Sequence, residues 1–136
     1  MADLLTIRDL RVYLDVDAGT VKAVDGVSFR VPQGGTVALV GESGSGKSVV
    51  AQSIMGILPR IAHIESGEIL FRDPRSGGES DLSRLDVRGR EMQRIRGGRI
   101  SIIFQEPMTA LSPLHTSGID RADLTIRCRH GKEKAV

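Results

Sequence analysis

Apolar and polar residues alternate through most of residues 5–14, the pattern of a strand with one buried face. Asp15, Asp17 and Gly19 mark a turn, and residues 21–24 can resume extended chain. Residues 27–31 alternate again and stop at Pro32, with Gln33, Gly34 and Gly35 forming the next turn. The pattern then changes. Residues 36–40 are a continuous β-prone run, the composition of a strand buried on both faces of a parallel sheet. After a Gly/Ser loop, Val50, Ala51, Ile54, Ile57 and Leu58 fall at helical spacing, which predicts a helix over 47–58 ended by Pro59. Residues 67–71 predict a short strand, and 72–83 a polar, exposed loop. A helix is predicted over 85–95, stopped by Gly97 and Gly98, and residues 100–104 read as a second buried-type strand. Beyond Pro113 the periodicity fades, and no internal repeat is visible.

Composition narrows the picture. The 136 residues are 40% hydrophobic and 26% charged, an ordinary globular balance, and the length by itself allows one small domain. The only aromatics are Tyr13, Phe29, Phe71 and Phe104, which argues against a nucleic-acid reader built on stacking platforms. No nucleic-acid partner is expected. A lone cysteine, Cys128, excludes a disulfide framework and a multi-cysteine zinc site and fits a reducing compartment. The start, Met1-Ala2-Asp3, is acidic and no apolar signal region follows it, so secretion is not expected. No apolar run is long enough to span a bilayer. Residues 1–113 hold 14 Lys/Arg and 14 Asp/Glu, so the net charge of +2 comes entirely from 114–136. A polar, charge-rich end of this kind predicts a solvated or poorly ordered tail.

The chemistry is concentrated in Gly41-Glu42-Ser43-Gly44-Ser45-Gly46-Lys47-Ser48, which satisfies every fixed position of G-x4-G-K-[ST]. Glycines let the backbone turn several N–H groups inward as an anion-binding nest. The following helix offers free N–H groups and its positive dipole end to phosphates. Lys47 can bridge the β- and γ-phosphates, and the Ser48 hydroxyl is a hard oxygen ligand suited to Mg²⁺. A Gly/Ser turn that merely contains a lysine is the plain alternative. Its placement after a buried-type strand and before an apolar-faced helix is what the phosphate-binding reading requires.

The phosphate loop alone does not choose among kinases, GTPases and transport ATPases; its flanks do. Residues 10–13, 21–29, 40–48, 64–69 and 100–109 together resemble the ATP-binding subunits of ABC transporters, specifically the oligopeptide/dipeptide/nickel importer group. The block Phe104-Gln105-Glu106-Pro107-Met108-Thr109 is the most group-specific. The resemblance covers residues 4–116. It implies an α/β fold: a partial P-loop NTPase (ABC ATPase) core with an N-terminal antiparallel β portion. Residues 1–116 would be the N-terminal part of an ATP-binding domain, and 117–136 a divergent tail.

The resemblance also assigns roles. Gln105 matches the family's Q-loop glutamine, whose amide reaches Mg²⁺ and the attacking water, chemistry that a neutral amide oxygen can perform. The family stacks an aromatic ring on adenine. Tyr13 is the candidate, although it falls early for that role, Leu14 takes a position often aromatic in the group, and a half-buried strand residue is the alternative. ATP and Mg²⁺ are the implied ligands, with Ser48 and Gln105 on the metal. Membrane-spanning permease subunits and a second ATP-binding subunit are the implied partners, at the cytoplasmic face of the cell membrane.

Two lookalikes are set aside. Ser76-Gly77-Gly78-Glu79 superficially matches the family's signature motif but lies upstream of Gln105, and reads as a loop. Arg84, Arg88, Arg90, Arg94, Arg96 and Arg99 spread around a helix beside Asp86 and Glu91, and read as a solvated face. His63, His115 and His130 do not match the family's switch histidine, and no His/Cys cluster suggests a structural metal. The signature motif, the strand ending in the Mg²⁺-linked Asp and the catalytic Glu are not found after Gln105. A truncated or frameshifted reading frame would produce this pattern, since such a core needs about 200–250 residues. The expectation is a chain incomplete for hydrolysis, whose phosphate-loop strand lacks parallel neighbours and presents an edge prone to aggregation. The competing expectation is a non-catalytic remnant with weak or no nucleotide binding. A small P-loop kinase would need acceptor and lid residues that cannot be located.

Overall fold

The computed structural model describes residues 2–104. Two long strands, β1 (Asp3–Val16) and β2 (Gly19–Pro32), form an antiparallel hairpin across the turn expected at Asp17 and Gly19. A third strand, β3 (Ala62–Arg72), pairs with the other edge of β1, and a short β4 (Glu79–Asp81) pairs with β3. The sheet order is β2-β1-β3-β4, antiparallel throughout. Two helices complete the described fold, α1 (Lys47–Met55) and α2 (Arg90–Gly98).

The alternation in β1 changes phase part-way. Ile7 is buried, and then Leu10 and Val12. An odd-numbered set gives way to an even-numbered one because the strand bulges at Asp9, whose φ is +43°. Both ladders of β1 shift register there, and the Ser28 hydroxyl accepts the Asp9 N–H at 2.8 Å. The bulge keeps two out-of-phase apolar sets on one core face. That core joins Ile7, Leu10, Val12, Val24, Ile69 and Phe71 from the sheet to Val50 of α1 and to Met92 and Ile95 of α2. Each such buried side chain contributes about 1.5–3 kcal/mol. Val50 and the fully buried Ser53 and Met55 put the inner face of α1 into the interior.

Several expectations are corrected. The loop expected at 72–83 contains β4, and Leu82 behind it is 4% exposed. The carboxylate of Asp81 organises that turn, accepting the N–H groups of Ile69 and Ser83 and the Ser83 hydroxyl. Helix α1 closes at Gly56 rather than at Pro59, and α2 begins at Arg90 rather than near 85. The two runs expected as buried strands, 36–40 and 100–104, form no strand. Val40 is 90% exposed and Ile103 92%. A strand exists only against a hydrogen-bonding neighbour, and no described element pairs with either run. Among the described residues, no helix is long and apolar enough to cross a membrane.

One ion pair ties the β3–β4 connection to the end of α2. Asp73 Oδ2 accepts Arg99 Nε at 2.8 Å, and Oδ1 accepts the Arg75 N–H at 2.9 Å. Burial pushes this carboxyl up, but the Arg99 hydrogen bond, the Arg75 N–H, the Arg99 charge and Ser76 together hold it below its ordinary 3.8. A depressed carboxylate contributes stability above its unfolded value and loses it as the pH falls through the folded one. Asp73→Asn is therefore expected to cost about 1 kcal/mol or less at neutral pH. The difference from wild type should vanish as the pH falls below 3.8. Urea midpoints at neutral and strongly acid pH check this, and an equal difference at both would refute it.

Candidate functional site

The loop before α1 is built by its glycines. The Ser45 N–H returns to Glu42 O at 3.2 Å, closing a tight turn, with Gly44 at φ +80° and Gly46 at φ +89°. A side chain at Gly46 would collide with Ala23 O of β2, so bare backbone is what lets the loop sit directly on that strand. Gly46 is also the N-cap of α1 and supplies no side chain to its first turn, which contains no acidic residue. The first N–H groups of α1 are left without intrahelical partners, and the positive end of its dipole is uncompensated.

Lys47 turns back into this loop. Its ammonium donates to Gly41 O at 2.7 Å, to Glu42 O at 2.5 Å and to Ser45 Oγ at 3.0 Å. Three acceptors match three donors, so the charge is held at the loop by groups that an anion can replace. Ser48 is exposed in the first turn of α1. Glu42 contributes a main-chain carbonyl, and Ser43 stands exposed at the turn.

A cleft of about 510 Å³ opens against this loop. Gly44, Ser45, Gly46, Lys47, Ser48 and Val49 form one wall, and Leu14, Val21, Lys22 and Ala23 of the β1–β2 hairpin form the other. One wall offers cation and N–H groups, and the other is largely apolar apart from Lys22. A larger cleft of about 610 Å³ lies between the β3–β4 connection and α2. Of its charges Asp73 is engaged by Arg99 and Glu91 by Ser80, Arg94 stands exposed, and the cleft has no phosphate-loop backbone.

The structure brings Gly44 to Ser48 together on the cleft, with Gly41 and Glu42 behind Lys47. Tyr13 is not among the lining residues. It stands opposite Lys22 and His63 in the sheet, its ring edge-on to His63 at 6.4 Å and under Lys22 Nζ at 5.7 Å. Its neighbour Leu14 lines the cleft instead. Gln105 and the tail 117–136 lie outside the described residues. Of the arginines expected on a solvated face, Arg84, Arg88, Arg90 and Arg94 are exposed, whereas Arg99 pairs with Asp73 and Arg96 reaches backbone carbonyls at the end of α1. Of the stretch expected as a loop, Ser76, Gly77 and Gly78 lie in the β3–β4 connection, while Glu79 opens β4.

The sequence reading missed Leu14, Val21, Lys22 and Ala23 as cleft residues. Register was the available signal: counting back from the turn pairs Val16 with Gly19 and Leu14 with Val21. That pairing places both residues at the hairpin end beside the loop.

Comparison with known proteins agrees with this geometry. The ABC transporter family model matches residues 24–129. The dipeptide transport ATP-binding protein DppD of Bacillus subtilis is 46% identical over 137 aligned positions, covering 100% of this chain and 38% of its own length. The protein of the same name from Lactococcus lactis is 41% identical, covering 97% of this chain and 36% of its own length. The peptidoglycan transport ATP-binding protein YejF of Agrobacterium fabrum is 48% identical over 114 residues, 83% of this chain and 19% of its own length. The chain thus spans well under half the length of these relatives. With most of its residues matched, and a phosphate loop seated between a hairpin and a helix, the chain belongs to the ABC transporter family.

Proposed function

We propose that this chain binds Mg-ATP as the N-terminal part of an ATP-binding subunit of an ABC-type peptide or nickel importer. The observation that carries the reading is the glycine loop seated on β2, with Lys47 turned into it and α1 presenting unpaired N–H groups to the same cleft. Phosphate oxygens would take over the Lys47 ammonium from Gly41 O, Glu42 O and Ser45 Oγ, exchanging neutral acceptors for charged ones. Leu14 and Val21 offer the apolar wall against which a base can pack. The exposed Ser48 hydroxyl lines the cleft beside Lys47 and fits a hard divalent cation. Mg²⁺ bound there would neutralise phosphate charge, and Gln105 is the proposed second oxygen donor. The dipeptide transport ATP-binding relatives support the peptide assignment. Permease subunits and a second ATP-binding subunit are the proposed partners, at the cytoplasmic face of the membrane, with 1–116 as the domain part and 117–136 as a divergent tail.

Hydrolysis needs a base or orienting group on the attacking water, and no residue of this chain matches the family's catalytic Glu. Titration calorimetry of the full chain with ATP is expected to show one saturable site, tighter with Mg²⁺. Multiple-turnover phosphate release should stay at the level of Lys47→Ala. A folded chain that takes up no ATP would overturn the binding reading, and release well above Lys47→Ala the incompleteness. The exposure of Val40 directly before the loop favours a second reading, a remnant with weak or no nucleotide binding. The same titration decides between them.

A further inference from the structure

Helix α1 is nine residues long, shorter than the roughly 12–15 at which an isolated helix persists in water. Its orientation therefore depends on tertiary ties. It has no basic residue in its own last turn to meet the negative end of its dipole. That cation comes from another element. Arg96, in the last turn of α2, donates Nε to Met55 O at 2.7 Å and Nη2 to Gly56 O at 2.9 Å, a two-pronged contact reaching back 40 residues.

The surroundings are closed around this contact. Gly56 caps α1 in the left-handed region at φ +61°, its N–H bonding Ser53 O while the Ile57 N–H bonds Gln52 O. A side chain there would meet Arg96 Nη2, Met92 and Val87 at 2.8–3.3 Å. Met92 is 1% exposed and Met55 2%. The guanidinium thus holds carbonyls that the helix cannot satisfy itself, in a geometry its planar fork matches and an ammonium does not.

We infer that Arg96 is a positioning residue for nucleotide binding, acting through α1 on the phosphate loop at the opposite end of that helix. The inference rests on the nucleotide-binding reading above. A short helix moves as one body, so releasing its C-terminal end also releases the N–H groups aimed at the phosphates. Arg96 thereby links the α2 end, which leads into 100–104, to the phosphate loop.

The test measures two quantities on the full chain: ATP affinity by calorimetry, and hydrogen exchange at the Gly56 and Ile57 amides. Arg96→Ala is expected to speed exchange at both amides and weaken ATP about fivefold, the size of a helix-terminus charge effect. Arg96→Lys should restore part of both. Arg94→Ala, exposed on the same helix, should change neither. Ile69→Val, a core substitution in β3, controls for general destabilisation: it should lower the melting temperature without weakening ATP. Should Arg96→Ala not fold, Arg96→Lys reads the same two quantities against wild type. Unchanged exchange overturns the clamp. Faster exchange with unchanged affinity, or an equal loss of affinity in Ile69→Val, overturns the positioning role. A wild-type chain that binds no ATP overturns the nucleotide reading itself, and the positioning role with it.

Discussion

Lys47→Ala is expected to weaken Mg-ATP binding about a hundredfold while leaving the folded structure nearly as stable as wild type. The two effects separate because of where Lys47 sits. Its ammonium is held by Gly41 O, Glu42 O and Ser45 Oγ, three groups on an exposed loop that water can satisfy when the lysine is gone. Nothing in the core leans on it, so the stability cost should stay within about 0.5 kcal/mol. A bound phosphate has no such substitute. Losing a charge-assisted contact there costs about 3 kcal/mol, which is about two orders of magnitude in Kd. Calorimetry paired with urea unfolding reads both quantities. An unchanged Kd would mean that ATP binds elsewhere, the larger cleft beside α2 being the place to look.

Two glycines that flank Ser45 carry the second large effect. Gly44 and Gly46 both have positive φ, at +80° and +89°, so alanine at either costs about 1–2 kcal/mol of backbone strain. Their surroundings differ. A side chain at Gly44 meets nothing within 4 Å, whereas one at Gly46 runs into Ala23 O and approaches Val24. Backbone cannot rotate away as a side-chain tip can. Gly46→Ala must lift the loop and the start of α1 off β2, or break the β2 edge. It is expected to cost about 3 kcal/mol or more in urea unfolding and to remove ATP binding. Gly44→Ala should lose only the strain energy and keep measurable affinity. Equal losses at the two positions would show that steric contact with β2 does not seat the loop.

Much of the candidate site was legible because its parts are contiguous. Gly41 to Ser48 fold around their own backbone, so local chemistry suffices to describe the turn and the start of α1. The far wall of the cleft was harder. Whether Tyr13 or Leu14 meets the ligand turns on one step of strand register, and β1 carries a bulge at Asp9 and a further register shift between Val12 and Tyr13. Alternation counted from the strand start accordingly loses phase. The arginines show a similar limit. Charge and spacing suggest a solvated face, but Arg96 points at carbonyls 40 residues away, a contact no helical wheel reveals.

The apolar runs at 36–40 and 100–104 are instructive in the opposite direction. Their composition demands burial, yet Val40 and Ile103 stand in solvent because a sheet strand is a property of two segments. The sequence by itself determined the family, the glycine-lysine loop motif and the hairpin at the start, since each is written in residues close along the chain. Only the tertiary structure decided which hairpin residues face the loop, that Gly46 must be bare against Ala23, and that α1 is tied down by an arginine from α2. Those depend on register and on contacts between distant segments, where a single bulge or one close backbone approach outweighs local preference.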